Sequence, residues 1–408
     1  MPSCHICQDD YEPFISFGEM PIANGFLTPD QFCDEYFFEM QTGFCSNCKM
    51  VQLVKQPDRE KMFHQNYAFF SSTSKYMAQH FKIFADSIYN ENLKSSDPFV
   101  VEIGSNDGIM LQNFAQRGIR HLGIEPSTNV AKIAIQKGIQ TTSEFFDETL
   151  AEKIVSEQGK ADAILAANVM CHIPNLHSVA AGVKTLLKPE GVFAFEDPYL
   201  GDIVEKTSYD QIYDEHAYYF SVASINYIFQ KHDMEIVDVI PQKVHGGSMR
   251  YILSHQNIRQ ISSAVKNQCV EEDRLGLHFP ETFENLGNNI NNSRTKLMEM
   301  LTDFKKQNKR VVGYAATSKS TTVTNFCGIS PDLVEYISDT TPIKQGKYSP
   351  GMHIPVRPHE DFCNNYPEYA LLFGWNHAEE IMANEQEFLR SGGKWIIYVP
   401  EVGILDVS

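Results

Sequence analysis

Apolar residues recur at helical spacing from about Ser74 to Asn90, with Met77, Phe81, Phe84, Ala85 and Ile88 on one face. The period then changes. Phe99-Val100-Val101-Glu102-Ile103 is a short apolar run closed by Gly104, the pattern of a strand buried in a parallel sheet. Residues 121–125, 161–168 and 191–197 repeat that pattern, and residues 128–137 and 177–187 between them read as helices. Such alternation predicts a doubly wound parallel sheet. A polar loop at 254–262 and a long helical stretch at 263–308 lead to a second β-α series, with strands at 310–314, 333–337, 369–373 and 394–399. Roughly the first 60 residues follow neither period and are rich in turns and aromatics.

A chain of 408 residues predicts two or three domains at roughly 150 residues each. Hydrophobic residues at 42% and charged residues at 21% are ordinary for a soluble globular protein. No apolar run approaches the ~20 residues of a membrane span, and no signal-peptide pattern opens the chain. A net charge of −18 with no basic stripe speaks against nucleic acid, whose phosphates demand Lys and Arg. A phosphate-bearing small ligand needs only a few local donors and stays open.

Two C-x-x-C pairs, Cys4/Cys7 and Cys45/Cys48, bring four thiolates within reach of one tetrahedral zinc. The set leaves no position open for water, so a structural ion is expected. The remaining cysteines (Cys33, Cys171, Cys269, Cys327, Cys363) lack pairing spacing, as in reduced cytoplasmic proteins.

The strand ending at Gly104 runs into Ser105-Asn106-Asp107-Gly108, a glycine turn without the G-x-G-x-x-G dinucleotide fingerprint. Glu125 ends the next strand, 21 residues after Gly104, where a carboxylate can accept from both ribose hydroxyls. Asn168 ends a third strand at the same crevice. The combination suits S-adenosylmethionine (SAM), with Gly104, Asn106, Asp107, Gly108, Glu125 and Asn168 as candidate cofactor residues.

Tyr213-Asp214-Glu215-His216 offers an imidazole base, a carboxylate to orient it and a hydroxyl to donate to an oxyanion. Taken alone, it is also the pattern of a packed core histidine. His172 follows the Asn168 strand, on active-site ground for an open sheet. Tyr67 lies between the zinc region and the sheet, and His245-Gly246-Gly247-Ser248 is a turn between two strands. Farther on, Val312 to Thr321 runs strand, turn, helix with Lys319 at a helix start that could hold a diphosphate. Asp339 and Lys344 follow the next strand and could lie beside it.

Taken together these residues resemble the sugar-nucleotide C-methyltransferases over essentially the whole chain. The two cysteine pairs match that family's zinc ligands, Glu102 to Gly108 its first methyltransferase motif, and Glu125-Pro126-Ser127 its ribose-binding strand end. Tyr67 with Ser71-Ser72, His172-Ile173-Pro174 and Tyr213-x-Glu215-His216 match its active-site motifs. His245 to Arg250, Ile343 to Lys347, Trp375-Asn376 and Gly392-Gly393-Lys394 also match. The resemblance implies an α/β protein of three parts: a zinc-binding domain at 1–66, a Rossmann-like SAM methyltransferase core at 67–258 and a C-terminal Rossmann-like domain at 259–408 that holds the sugar nucleotide. It implies methylation at C3′ of a nucleotide-linked 4-keto-6-deoxyhexose, with His216 as base, Glu215 orienting it, and Tyr213, His172 or Tyr67 on the enolate oxygen. Ser72, His245, Lys319, Asp339, Lys344 and Asn376 are the expected substrate contacts. Relatives using thymidine nucleotides read close to G-Y-G-A-A-A-K-G-N-T at the C-terminal turn. Here it reads Gly313-Tyr314-Ala315-Ala316-Thr317-Ser318-Lys319-Ser320-Thr321-Thr322, which keeps the lysine, loses the glycines and leaves both GDP and TDP open. A cytoplasmic monomer with no membrane or nucleic-acid partner is expected. O- or N-methylation of a nucleotide sugar, or a zinc module that only binds one, are the alternatives.

Overall fold

The computed structural model describes residues 1–57, 62 and 75–405. Three sheets follow one another along the chain. The first contains β1 (Pro13–Pro21), β2 (Phe37–Phe44) and β3 (Val51–Leu53), paired antiparallel in that order.

A helix over Lys75–Asn92 leads to the central sheet. Its strands are β4 (Phe99–Ile103), β5 (Arg120–Ile124), β6 (Thr141–Thr142), β7 (Ala161–Ala167) and β8 (Leu187–Pro198). The chain then leaves to form β9 (Tyr218–Tyr219), which pairs with β3 of the first sheet, and returns as β10 (Met234–Gln242) and β11 (Ser248–His255). The order is β10-β11-β8-β7-β4-β5-β6, parallel from β8 to β6, with β11 antiparallel to both its neighbours. The near-continuous apolar runs seen in the sequence follow from burial on both faces. In β8, Phe193 and Phe195 enter one core cluster while Val192 and Ala194 enter another, as the two-residue period of a strand requires. The cavity described below opens at the carboxyl ends of β4, β5 and β7, where open α/β sheets bind ligands.

The third sheet contains β12 (Val311–Tyr314), β13 (Ile337–Ser338), β14 (Val356–Arg357), β15 (Tyr369–Leu372), β16 (Lys394–Ile397) and β17 (Gly403–Ile404), ordered β14-β13-β12-β15-β16-β17. Ile15, Phe17, Met40 and Leu53 of the first sheet share a core with Phe283, Leu286, Ile290, Phe326 and Tyr398 of the C-terminal part. The N-terminal sheet therefore packs against the last part of the chain and is laced by β9 to the middle.

Two expectations need correction. The long helix at 263–308 is two helices, Ser263–Leu275 and Pro280–Lys306. Gly276 ends the first at φ +69°, and Pro280 opens the second, the usual glycine stop and proline start. The strand at 333–337 shrinks to Ile337–Ser338, because Leu333 and Val334 form a turn hydrogen-bonded to Ser330. Among the described residues, no helix is long and apolar enough to cross a membrane.

Candidate active site

Cys4, Cys7, Cys45 and Cys48 converge, with all four Sγ atoms within 4.8 Å of one another. Cys4 Sγ lies 3.4 Å from Cys48 Sγ, and Cys7 Sγ 3.3 Å from Cys45 Sγ. Zinc–sulfur bonds of about 2.3 Å at tetrahedral angles put the sulfurs about 3.8 Å apart, so the set fits a zinc ion with a small expansion. Gln52 Nε2 donates to Cys4 Sγ at 3.0 Å, the outer-shell support that orients such ligands.

A cavity of about 600 Å³ opens beside the central sheet. At one end β4 runs into Gly104, whose φ is +67°; a Cβ there would sit 2.3 Å from Val169. Only glycine fits both demands. Glu125 directly follows β5, 6% exposed, and both its oxygens are engaged: one accepts from the Asn106 N–H at 3.0 Å, the other from the Ser127 N–H at 2.8 Å. Burial raises its pKa, while the bonds from Ser127 and Asn106 oppose the rise. Asn168, at φ +56°, donates its N–H to the Glu196 carbonyl at 2.7 Å. Gly104, Asn106, Glu125 and Asn168 all line this end, with Phe145 and Phe146 forming an apolar wall. A buried acidic acceptor beside a glycine approach and an aromatic wall fits the ribose and base of SAM. Asp107 and Gly108 are placed differently from expectation. Asp107, 1% exposed, pairs with Lys137 at 3.1 Å, and a Cβ on Gly108 would meet Ile139 at 2.8 Å. They shape the turn from behind and are not on the cavity wall.

His216 stands at the middle of the cavity, 5% exposed. Its Nδ1 lies 2.8 Å from the Gln211 carbonyl, which can only accept, so Nδ1 carries the proton. Nε2 is then the acceptor, 2.7 Å from the Tyr213 hydroxyl that donates to it. His172 stacks on the ring with centroids 5.2 Å apart. Burial pushes the His216 pKa well below the usual imidazole range, and His172, His245 and Lys319 push the same way. Burial also lowers His172 to about 4. The expected orienting role of Glu215 thus falls to a backbone carbonyl. Glu215 lines the cavity and accepts instead from Asn24 Nδ2 at 2.7 Å. Asp214 beside it caps the Ala23 N–H at 2.9 Å.

The far end draws most of its polar groups from the C-terminal part of the chain. Thr317 caps the helix Ser318–Cys327, accepting from the Ser320 N–H. Lys319, 8% exposed, donates to Asn376 Oδ1 at 3.1 Å and sits 4.8 Å above the Trp375 ring. Trp375 Nε1 and the Tyr398 hydroxyl both donate to the buried Asp210, at 2.6 and 2.7 Å. Lys344 donates to the Ala316 carbonyl at 2.7 Å. Burial lowers both lysines; Asp210 opposes it for Lys319, and Asp339 and Glu215 for Lys344. His245, at φ +55°, faces the cavity from the β10–β11 turn, and burial pushes it down to about 3. The next residue, Gly246, is packed so closely that a Cβ would fall 2.3 Å from the Trp375 ring. Asp339 is another correction: its carboxylate accepts from the Ala316 and Thr341 N–H groups, both at 2.7 Å, and stays behind the wall. Tyr67 and Ser72 lie outside the described residues. Asn24 and Gln211 were missed; neither belongs to a motif, and only the assembled fold brings them to His216 and Glu215.

Comparison with known proteins agrees with this layout. The family described as "Putative zinc binding domain" matches residues 4–63, "Methyltransferase domain" 76–239, and "C-methyltransferase C-terminal domain" 243–400. The C-methyltransferase NovU of Streptomyces niveus is 32% identical over 410 residues, covering 99% of this chain and 97% of that protein. A ubiquinone biosynthesis O-methyltransferase of Colwellia psychrerythraea is 27% identical over 125 residues, 30% of this chain and 50% of its own. The magnesium protoporphyrin IX methyltransferase of Synechocystis, solved with S-adenosylhomocysteine bound, superposes with a TM-score of 0.35 and 17% identity over 44% of this chain and 83% of its own. Because NovU matches along nearly the full length of both chains, this chain belongs to the C-methyltransferase family and is a SAM-dependent C-methyltransferase with an N-terminal zinc-binding domain.

Proposed function

We propose that the enzyme methylates C3′ of a nucleotide-linked 4-keto-6-deoxyhexose, with GDP or TDP as the nucleotide. One observation carries the reading: a single cavity joins the Glu125 end, a neutral buried imidazole, the buried Lys319 and the half-buried Lys344. A small acceptor would need no second cationic end. A sugar diphosphate does, because its phosphates need charge-assisted donors of the kind Lys319 and Lys344 supply. The three parts of the chain, 1–66, 67–258 and 259–408, then act as brace, cofactor domain and nucleotide-sugar domain.

A hydrogen α to a ketone is acidic enough for a positioned base once the enolate oxygen is stabilised. His216 is that base. Its lowered pKa keeps Nε2 unprotonated at neutral pH, and the Gln211 carbonyl holds the ring in the tautomer that presents Nε2. The same shift makes it a weak base, so enolate stabilisation has to supply much of the driving force. When Nε2 takes the C3′ proton, the Tyr213 hydroxyl is released to donate to the developing oxyanion, with His172 stacked on the imidazole. Glu215 and Asn24 bind sugar hydroxyls, while His245, Lys319, Lys344 and Asn376 bind the diphosphate. Bound SAM supplies the electrophilic methyl group. The chain supplies alignment and exclusion of water.

Mass spectrometry of SAM reactions with TDP- and GDP-4-keto-6-deoxyhexoses tests the reading. A product one methyl heavier, whose proton NMR spectrum has lost the C3′ hydrogen, is expected. A methylated product that keeps this hydrogen overturns it.

A further inference from the structure

The turn from Asn168 to Asn175 forms one side of the cavity, with His172, Ile173, Pro174 and Asn175 facing inward. Its outer side and the helix that follows it are tied to the N-terminal sheet and knuckle by three routes. The Tyr218 hydroxyl donates to the Pro174 carbonyl at 2.6 Å. The Ala217 N–H donates to the Cys171 carbonyl at 2.8 Å, while the Ala217 carbonyl accepts from the Leu53 N–H at 2.9 Å. The third route runs from the helix to the metal knuckle. His177 Nε2 lies 2.9 Å from the carbonyl of Ile6, which sits between Cys4 and Cys7. A carbonyl only accepts, so Nε2 carries the proton and Nδ1 accepts from His232 Nε2 at 3.0 Å. The same knuckle residue donates its N–H toward Cys4 Sγ at 3.4 Å.

His177 is the second residue of the helix Leu176–Leu186. Asn175 caps this helix by accepting from the Ser178 N–H at 3.1 Å, and Ser178 Oγ accepts from the Glu148 N–H at 3.3 Å. Glu148 directly follows Phe145, Phe146 and Asp147, which line the cofactor end together with Asn175 and Ser178. A displacement of this helix start therefore moves both sides of the cofactor end at once.

We propose that His177 is a positioning residue that couples the zinc knuckle to the cofactor wall. The four thiolates, closed around zinc, fix Ile6. The Ile6 carbonyl fixes His177, and His177 fixes the helix start that carries Asn175 and Ser178. Zinc in this enzyme then sets cofactor affinity as well as holding the N-terminal domain together.

The test uses the full-length zinc-loaded protein and three measurements: zinc content, S-adenosylhomocysteine affinity by calorimetry, and kcat and KM for SAM. His177→Ala is expected to keep one zinc per chain and to weaken S-adenosylhomocysteine binding by about tenfold, the effect of one hydrogen bond lost at a wall. Its KM for SAM should rise while kcat changes little. His177→Gln, whose amide can still donate to the Ile6 carbonyl, should recover most of the affinity. Stripping zinc from the wild type with a chelator should weaken binding by a similar factor and add little in His177→Ala, because both act through one contact. Unchanged affinity in His177→Ala, or no recovery in His177→Gln, overturns the proposal. So does a chelator effect as large in His177→Ala as in the wild type.

Discussion

The two ends of the cavity are built on different plans. At the cofactor end the polar groups all come from the central sheet and its helices: Gly104 to Ser127 beside β4 and β5, Asn168 after β7, and Asn175 and Ser178 at the next helix start. At the far end Asn24 comes from the N-terminal domain, His245 from the central sheet, and Lys319, Lys344 and Asn376 from the C-terminal sheet. The first end is formed once the central sheet and its flanking helices have assembled. The second exists only after three sheets have docked. Cofactor binding should therefore survive many changes that ruin substrate binding, and the reverse should be rare.

The largest effect is expected where the ends meet. His216→Asn should lower kcat on the order of 10²- to 10⁴-fold, the usual worth of a general base, and leave S-adenosylhomocysteine affinity within error. Calorimetry beside steady-state kinetics would reveal a parallel loss of binding, which would mean that the ring also props the cofactor end. Lys319→Met removes a buried cation and should raise the sugar-nucleotide KM by about 10- to 100-fold, the range of a charge-assisted bond, again with cofactor affinity intact. Glu125→Ala probes the opposite end. It strands the Asn106 and Ser127 N–H groups as well as the ribose hydroxyls, so the dissociation constant for S-adenosylhomocysteine should rise at least tenfold. Gly246→Ala is the sharper test of the contrast, because at φ +87° a Cβ there is strained and would collide with the Trp375 ring, far from the cofactor end. It should raise the sugar-nucleotide KM several-fold with no change at the cofactor end.

The smallest effect is on stability against pH. His172 and His245 have folded pKa values lowered to about 4 and about 3, against roughly 6.5 in an unfolded chain. Above pH 6.5 both states hold these rings neutral, and neither ring contributes a pH dependence. Below it the unfolded state takes up protons that the folded state refuses, so the contribution of these two rings to stability falls as pH drops from about 6.5 toward 4. The buried carboxyls of Asp197 and Glu272, each raised to about 7 chiefly by burial, work the opposite way in the same window, so the test is differential: thermal scans of His245→Asn should show a smaller acid-side loss than the wild type. An identical pH slope in His245→Asn and the wild type would remove the buried neutral imidazole from the account.

Legibility followed the same division. Glu102 to Gly108 and Glu125 are short-range patterns, because a tight turn and the next strand end are fixed by neighbours in sequence. The cysteine pairs were legible for the same reason. The partner of His216 was not: a backbone carbonyl has no residue identity to read, and adjacency in sequence suggested Glu215. Asp107 and Asp339 misled because a carboxylate at a strand end can face a ligand or cap the turn behind it with equal ease. The break at Gly276 to Pro280 was readable from its residue types, yet helical period on both sides concealed it.

The short strand β9 carries a consequence for how the protein is made. Val51 and Gln52 pair with Tyr219 and Tyr218, so the first sheet borrows its last strand from the middle of the chain. A polypeptide leaving the ribosome N-terminus first holds β3 with a bare edge until residue 219 has emerged. Over that interval the edge is open to pairing with other chains, and the metal is held by a domain that lacks its closing strand. A fragment cut at the end of the N-terminal domain keeps that defect permanently, which argues for expressing the enzyme whole.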